Sequence, residues 1–250
     1  MRRTLLLALK GNWGFFSSME VTRPDAPRVA TNEQESTNAH YRLGLAYDYG
    51  DGVKVDKSIA MMWYLKAAEH GVVSAQYRLG LAYDKGEGVG KDKAEAVRWY
   101  RLAAEQGNGL AQMYLGYAYD TGAGVKQSQS EGVKWFTKAA EAGNAGAQYR
   151  LGLAYDYGEG VEENKVVAVK WYRLAAEQGN ASARLKLGGA YLCGQGLVGD
   201  VVEGYAWIYL AAKENEDAVR QLGDLDKKLT KMQCKKGLQR AEEIAEARRW

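Results

Sequence analysis

The sequence predicts an all-α solenoid built of helix-turn-helix units 36 residues long. Three recurrences carry this reading. Gly44 returns as Gly80, Gly116, Gly152 and Gly188. Trp63 returns as Trp99, Trp135, Trp171 and Trp207, and Ala67-Ala68 returns as Ala103-Ala104, Ala139-Ala140, Ala175-Ala176 and Ala211-Ala212, all at the same 36-residue step. A fixed period of about 20–50 residues marks an array in which each unit buries its apolar face on its neighbours. A hydrophobic content of 46% and only 2 Pro suit helices, and most of the 30 Gly fall at fixed places in the unit.

Residues 1–35 stand outside the repeats. Met1 to Leu9 begins like a secretory signal, with Arg2 and Arg3 before an apolar run. The run stops at Lys10, short of the usual 7–15 residues or so, and no clean small-residue cleavage site follows. Export and a floppy leader are the two readings. Both prolines, Pro24 and Pro27, lie in a stretch rich in Asp, Asn and Thr, so residues 20–35 read as a linker. No apolar stretch is long enough to span a bilayer.

Five units follow, over 36–71, 72–107, 108–143, 144–179 and 180–215. Four of them open near an N-cap residue type, Ser36, Asn108, Asn144 and Asn180, with Val72 at the aligned position of unit 2. The first helix of the unit, helix A, runs to about Tyr49 in unit 1, with Ala39, Leu43 and Tyr47 on one face and Gly44 beside them. Gly50 and Gly52 end it, and their G-x-G-V pattern recurs in every unit but the last, where Leu197 replaces Val. A phosphate-binding glycine loop follows a strand, whereas these follow helices, so they read as C-caps and tight turns. Helix B opens at Asp56, aligned with Asp92, Ser128, Asn164 and Asp200, all N-cap types, and three of them carry a Glu at capping-box spacing. It carries Trp63, Tyr64, Ala67 and Ala68, with the alanines allowing close approach and the tryptophan filling volume between units.

Unit 5 is degraded, with Asn215 in place of the closing glycine. Residues 216–250 then read as capping helices. Ala218, Leu222 and Gly223 echo a helix A, and Thr230 with Gln233 has capping-box spacing before a long charged helix. A polar terminal unit covers the last apolar face of an array.

The unit A-x-x-x-L-G-x-x-Y-x-x-G-x-G-V, then D-x-x-x-A-x-x-W-Y-x-x-A-A-x-x-G, closely resembles the Sel-one-like repeat, a relative of the tetratricopeptide repeat. It reads in unit 2 as Ala75, Leu79-Gly80, Tyr83, Gly86, Gly88-Val89, Asp92, Ala96, Trp99-Tyr100, Ala103-Ala104 and Gly107. The resemblance spans 36–215 and implies antiparallel helix pairs stacked into a right-handed α/α superhelical solenoid. It also implies scaffold or adaptor roles, among them bacterial envelope and host-contact proteins. One cysteine-rich branch is described as binding or hydrolysing β-lactams through a fold with paired cysteines in each repeat. This chain has 2 Cys, Cys193 and Cys234, which read as two buried free thiols or as a pair that meets where the last helices pack on the last repeat.

The functional reading follows from the second stripe of helix A. If Ala39, Leu43 and Tyr47 are buried, Tyr41, Leu45 and Asp48 share another face, with Arg42 beside them. The stripe recurs as Tyr77, Arg78, Leu81, Asp84; Met113, Tyr114, Tyr117, Asp120; and Tyr149, Arg150, Leu153, Asp156. In related solenoids helix A lines the concave face, and aromatics with Arg dominate binding hot spots. The expectation is a non-catalytic scaffold that binds another protein or a peptide there. Packing between neighbouring A helices accounts for the stripe equally well. An acid in the last turn of helix A opposes the helix dipole, so a neighbouring Arg, turn N–H groups or a cationic ligand is expected to compensate it. The charge of +3, with Lys+Arg and Asp+Glu at 20 each across 36–215, lacks the basic excess of a nucleic-acid binder. His40 and His70 are the only histidines and have no catalytic partner by spacing, so no enzyme, metal or cofactor is expected.

Overall fold

The structure is a computed structural model that describes residues 33–248. The signal-like segment and both prolines lie outside the described residues. Among those described are twelve helices and no strand. The five units supply the pairs α1 (Glu33–Tyr49) and α2 (Lys57–Glu69), α3 (Val73–Lys85) and α4 (Lys93–Glu105), α5 (Gly109–Thr121) and α6 (Gln129–Glu141), α7 (Ala145–Tyr157) and α8 (Lys165–Glu177), and α9 (Ala181–Cys193) and α10 (Val201–Ala211). Then come α11 (Glu216–Lys228) and α12 (Lys231–Arg248). From α1 to α11 each helix packs on the next in chain order, which is the all-α solenoid that the period predicts.

Local chemistry sets the helix ends. Asp56, Asp92, Ser128, Asn164 and Asp200 each accept a hydrogen bond from backbone N–H groups in the first turn of the following helix. Thr230 and Gln233 form the reciprocal box, with the Gln233 N–H donating to Thr230 Oγ1 and the Thr230 N–H to Gln233 Oε1. One boundary differs from expectation. Helix α1 starts at Glu33, so Ser36 lies inside it and the expected linker ends sooner.

The turn glycines do more than cap. Gly86 is left-handed (φ 79°) and ends α3. Gly88 (φ 72°) lies against the preceding unit, and a Cβ there would sit 2.3 Å from the Lys57 carbonyl oxygen. Gly124, Gly160 and Gly196 make the same approach to the starts of α4, α6 and α8, whereas Gly52, with no described unit before it, meets nothing within 4 Å.

Inside each unit a glycine of helix A seats a side chain of helix B. A Cβ on Gly44, Gly80 or Gly152 would meet the rings of Tyr64, Tyr100 or Tyr172 at 2.4–2.6 Å; Gly116 faces Phe136 and Gly188 faces Ile208 in the same way. Leu79, Leu115, Leu151 and Leu187, one residue earlier, are fully buried. The end of the array reuses the device: α12 packs on α10, Gly237 lies against Tyr205, and Ala241 and Ile244 are buried.

A polar column runs through this core. Gln76, Gln112 and Gln148 are buried and donate to the carbonyls of Ala68, Ala104 and Ala140 at the end of the preceding helix B; Arg184 does the same to Ala176. Gln106 and Gln178 donate to the free side-chain oxygens of Gln76 and Gln148, both at 2.7 Å. The equivalent position in unit 3 is Ala142, and Gln112 Oε1 is left buried without a partner. The cysteines differ from expectation. Cys193, at the end of α9 beside its glycine turn, is exposed, Cys234 is half-buried, and both are free.

Two measurements check this account. Gly80→Ala should cost about 1–3 kcal/mol in urea unfolding, because the Tyr100 ring has no room to retreat. Gly223→Ala in α11, where nothing lies within 4 Å, should instead gain up to about 1 kcal/mol. Ala142→Gln should stabilise the protein by about 0.5–1.5 kcal/mol by pairing the Gln112 oxygen, seen as a raised urea midpoint; an unchanged or lowered midpoint counts against the ladder.

Candidate functional site

The apolar members of the predicted stripe lie mostly between units. Tyr41 and Leu45, Tyr77 and Leu81, Met113 and Tyr117, and Tyr149 and Leu153 are all partly buried against core clusters. Tyr41, Tyr77 and Tyr149 tilt onto Tyr64, Tyr100 and Tyr172 with centroids 5.8–6.3 Å apart. Arg42 is exposed.

The acid row is met from two directions. At the first interface Lys57, the first residue of α2, donates to Asp48, the Tyr64 hydroxyl donates to its second oxygen at 2.9 Å, and Arg78 of the next helix A stands 3.8 Å away. At Asp156 the partners are Lys165 and the Tyr172 hydroxyl at 3.0 Å. Unit 3 has Gln129 and Phe136 where units 1, 2 and 4 have Lys and Tyr, and there Arg150 pairs with Asp120 and lies over the Tyr117 ring. Asp84 pairs with Lys93, but the next helix A offers Tyr114 in place of Arg, and the buried Tyr100 hydroxyl has no partner.

Between successive A helices these groups line open clefts. One of about 240 Å³ holds Asp48, Tyr49, Lys57 and Arg78; one of about 210 Å³ holds Asp84, Lys93, Tyr100 and Tyr114; one of about 460 Å³ holds Asp156, Tyr157, Lys165, Lys186 and Cys193. Tyr49 and Tyr157 stand at the first and last of these, 62% and 56% exposed. Arg78 lies 5.3 Å from the Tyr49 ring centroid, and Lys186 lies 5.0 Å from that of Tyr157 while donating to its hydroxyl.

The electrostatics follow burial and pairing. Burial and then the bond to Asp48 push the Tyr64 hydroxyl far up; burial and then the Asp156 charge do so for Tyr172. Burial and then the Asp84 charge raise Tyr100, and burial raises Tyr77 to about 12. Hydrogen bonds to their aspartates raise Lys57 and Lys165. These groups keep one charge state near neutrality, so the clefts suit recognition by fixed charges and rings. Burial, then Lys66 and His70, lower His40, which stacks on Trp63 at 5.4 Å.

Sequence reasoning missed Lys57, Lys93 and Lys165 as the partners of the acids. The signal was present, since a lysine follows the helix B cap in three units. It also stopped one residue short of Tyr49 and Tyr157.

The Sel1 repeat family model matches residues 37–72, 73–108, 109–144, 145–180 and 181–216. Among solved structures, the chain is 38% identical, with a TM-score of 0.76, to a protective antigen of uropathogenic Escherichia coli that displays an SLR fold; the match covers 86% of this chain and 47% of that one. The chain thus spans about half the length of that antigen. It is 37% identical, with a TM-score of 0.72, to a Sel1 repeat protein from Oxalobacter formigenes, over 84% of each chain. No curated protein matches it.

The unequal tyrosines make a paired test. Tyr172→Phe removes a hydrogen bond to a charged acceptor and should cost about 1.5–3 kcal/mol, whereas Tyr100→Phe removes an unpartnered buried hydroxyl and should be neutral or stabilising. Urea unfolding of both variants checks the difference, and equal losses count against the assigned bonding.

Proposed function

The chain belongs to the Sel1 repeat family, and from that premise we propose that it is a non-catalytic scaffold that binds another protein or a peptide along the face formed by α1, α3, α5 and α7. The Sel1 repeat fold is a protein-interaction scaffold type. The observation that carries the finer reading is the row of clefts between successive A helices, with a carboxylate and a lysine in each and an exposed tyrosine at the first and last. Clefts that recur along the row of A helices match an extended partner better than a compact small molecule. Tyrosines held by neighbouring cations present large rigid surfaces at low entropic cost, the character of binding hot spots. The balanced charge of the repeats favours a protein partner over nucleic acid.

A catalytic role finds less support. His40 has Trp63, Lys66 and His70 as its neighbours, which do not compose a nucleophile and its base. The β-lactam reading rests on paired cysteines in each unit, and here Cys193 and Cys234 are both free. Among the described residues no helix is long and apolar enough to cross a membrane. A second reading, exposure of the protein to a host, draws on the likeness to the protective antigen; cell fractionation with N-terminal sequencing of the mature protein tests it.

The scaffold reading is tested by affinity purification from the native cell with intact chain and with Tyr49→Ser/Tyr157→Ser. Both tyrosines are exposed, so the variant should keep its circular dichroism spectrum. Partners recovered with the intact chain should be lost or held at least about tenfold more weakly by the variant. Equal recovery by both places binding elsewhere on the molecule.

A further inference from the structure

The four interfaces between units 1 to 5 differ in one respect that nothing in the packing requires. At three of them the next helix A sends a cation towards the acid row: Arg78 towards Asp48 and the Tyr49 ring, Arg150 towards Asp120 and the Tyr117 ring, and Lys186 onto the Tyr157 ring in the Asp156 cleft. At the interface between units 2 and 3 that position is Tyr114. Asp84 receives Lys93 on one oxygen, and its other oxygen has no donor among the described residues. The Tyr100 hydroxyl, whose counterparts donate to Asp48 and Asp156, is buried without a partner in the same cleft. Tyr100 is only 2% exposed. Tyr77, Tyr100 and Tyr114 form a three-ring cluster beside the carboxylate, with centroids 5.2–6.3 Å apart.

A carboxylate oxygen and a phenol oxygen that both lack donors, next to the half-buried Tyr77 and Tyr114 rings, define the chemistry of the missing group. It is a cation with several N–H donors and a flat face. A guanidinium meets this description, because its planar fork bonds two acceptors at once and stacks on aromatic rings. An ammonium has the charge without the plane. The 210 Å³ of the cleft holds such a head group together with part of its stem.

Resting on the scaffold reading above, we infer that the cleft between units 2 and 3 takes an arginine side chain of the partner, which occupies the place that Arg78 and Arg150 fill from within the chain at the neighbouring interfaces. The guanidinium donates to Asp84 and Tyr100 and packs on Tyr114. The array then places a cation from the next helix A in its other acid clefts and leaves that place in the Asp84 cleft to the partner.

The probe is N-acetyl-arginine amide, titrated into the full chain and followed by the NMR signals of Tyr100, Tyr114 and Thr121. N-acetyl-citrulline amide, which has the same shape without the charge, is the control. The expected result is a saturable shift with the arginine probe, at least about tenfold weaker with citrulline and with Asp84→Asn, and abolished in Tyr114→Arg, which supplies the cation internally. No saturable shift, an equal response to citrulline, or an undiminished response in Tyr114→Arg overturns the proposal. If Tyr114→Arg does not fold, the Asp84→Asn and citrulline comparisons decide alone. Partner capture that depends on Tyr49 and Tyr157 without arginine binding overturns this inference and leaves the scaffold; arginine binding without any partner overturns the scaffold and leaves the cleft.

Discussion

The structure depends on one close approach, the glycine of helix A lying under a ring of helix B. A Cβ at that glycine would sit far inside the ring, so the two helices of a unit reach their spacing only because it is absent. The approach also sets the polar chemistry. The aspartate follows the glycine by four residues, one turn along the same face, so a tyrosine lying over Gly44 or Gly152 carries its hydroxyl to Asp48 or Asp156. Where the ring changes, the acid changes its company. Phe136 has no hydroxyl, and Asp120 turns to Arg150. Ile208 replaces the ring in unit 5, and the acid position is Leu192, packed beside it. A packing constraint thus dictates where the recognition groups stand.

The acid and the lysine that pair at the turns of units 1, 2 and 4 are both poorly placed with respect to their own helices. Asp48 sits at the carbonyl end of α1 and Lys57 at the amide end of α2, each against the dipole by about 0.3–1 kcal/mol at an exposed site. Antiparallel packing brings these two ends together, so each charge offsets the other's misplacement. The pairs are partly exposed and contribute modestly to stability. Their effect is to fix the direction of charged groups at the cleft mouths.

The period, the helix B caps and the glycine turns were legible because each depends on neighbours close in the chain or on the repeat itself. The buried glutamine column was not, although Gln recurs at 76, 112 and 148. A recurring polar residue on an otherwise apolar face reads as solvated until the carbonyls of the preceding helix are seen opposite it. The lysine partners of the acids were missed for the same reason: nine residues and a turn separate Lys57 from Asp48. Tyr41, Tyr77 and Tyr149 pack between units, while Tyr49 and Tyr157, just past the stripe, face outward.

In a repeat array whatever all units share is the price of stacking, and whatever differs between them is free to serve a partner. The glycines, the alanine pairs and the buried leucines are shared. The position that faces the preceding acid runs Arg78, Tyr114, Arg150, Lys186, and the residue after the acid runs Tyr49, Lys85, Thr121, Tyr157. Neither series is needed to bring the helices together, since the glycine contact recurs under all of them. Each interface consequently presents its own balance of charge and aromatic surface on one common frame. An extended partner laid across the A helices would meet a cationic cleft, then an aromatic one, and farther along a second cationic one, so that each cleft would take a different part of it.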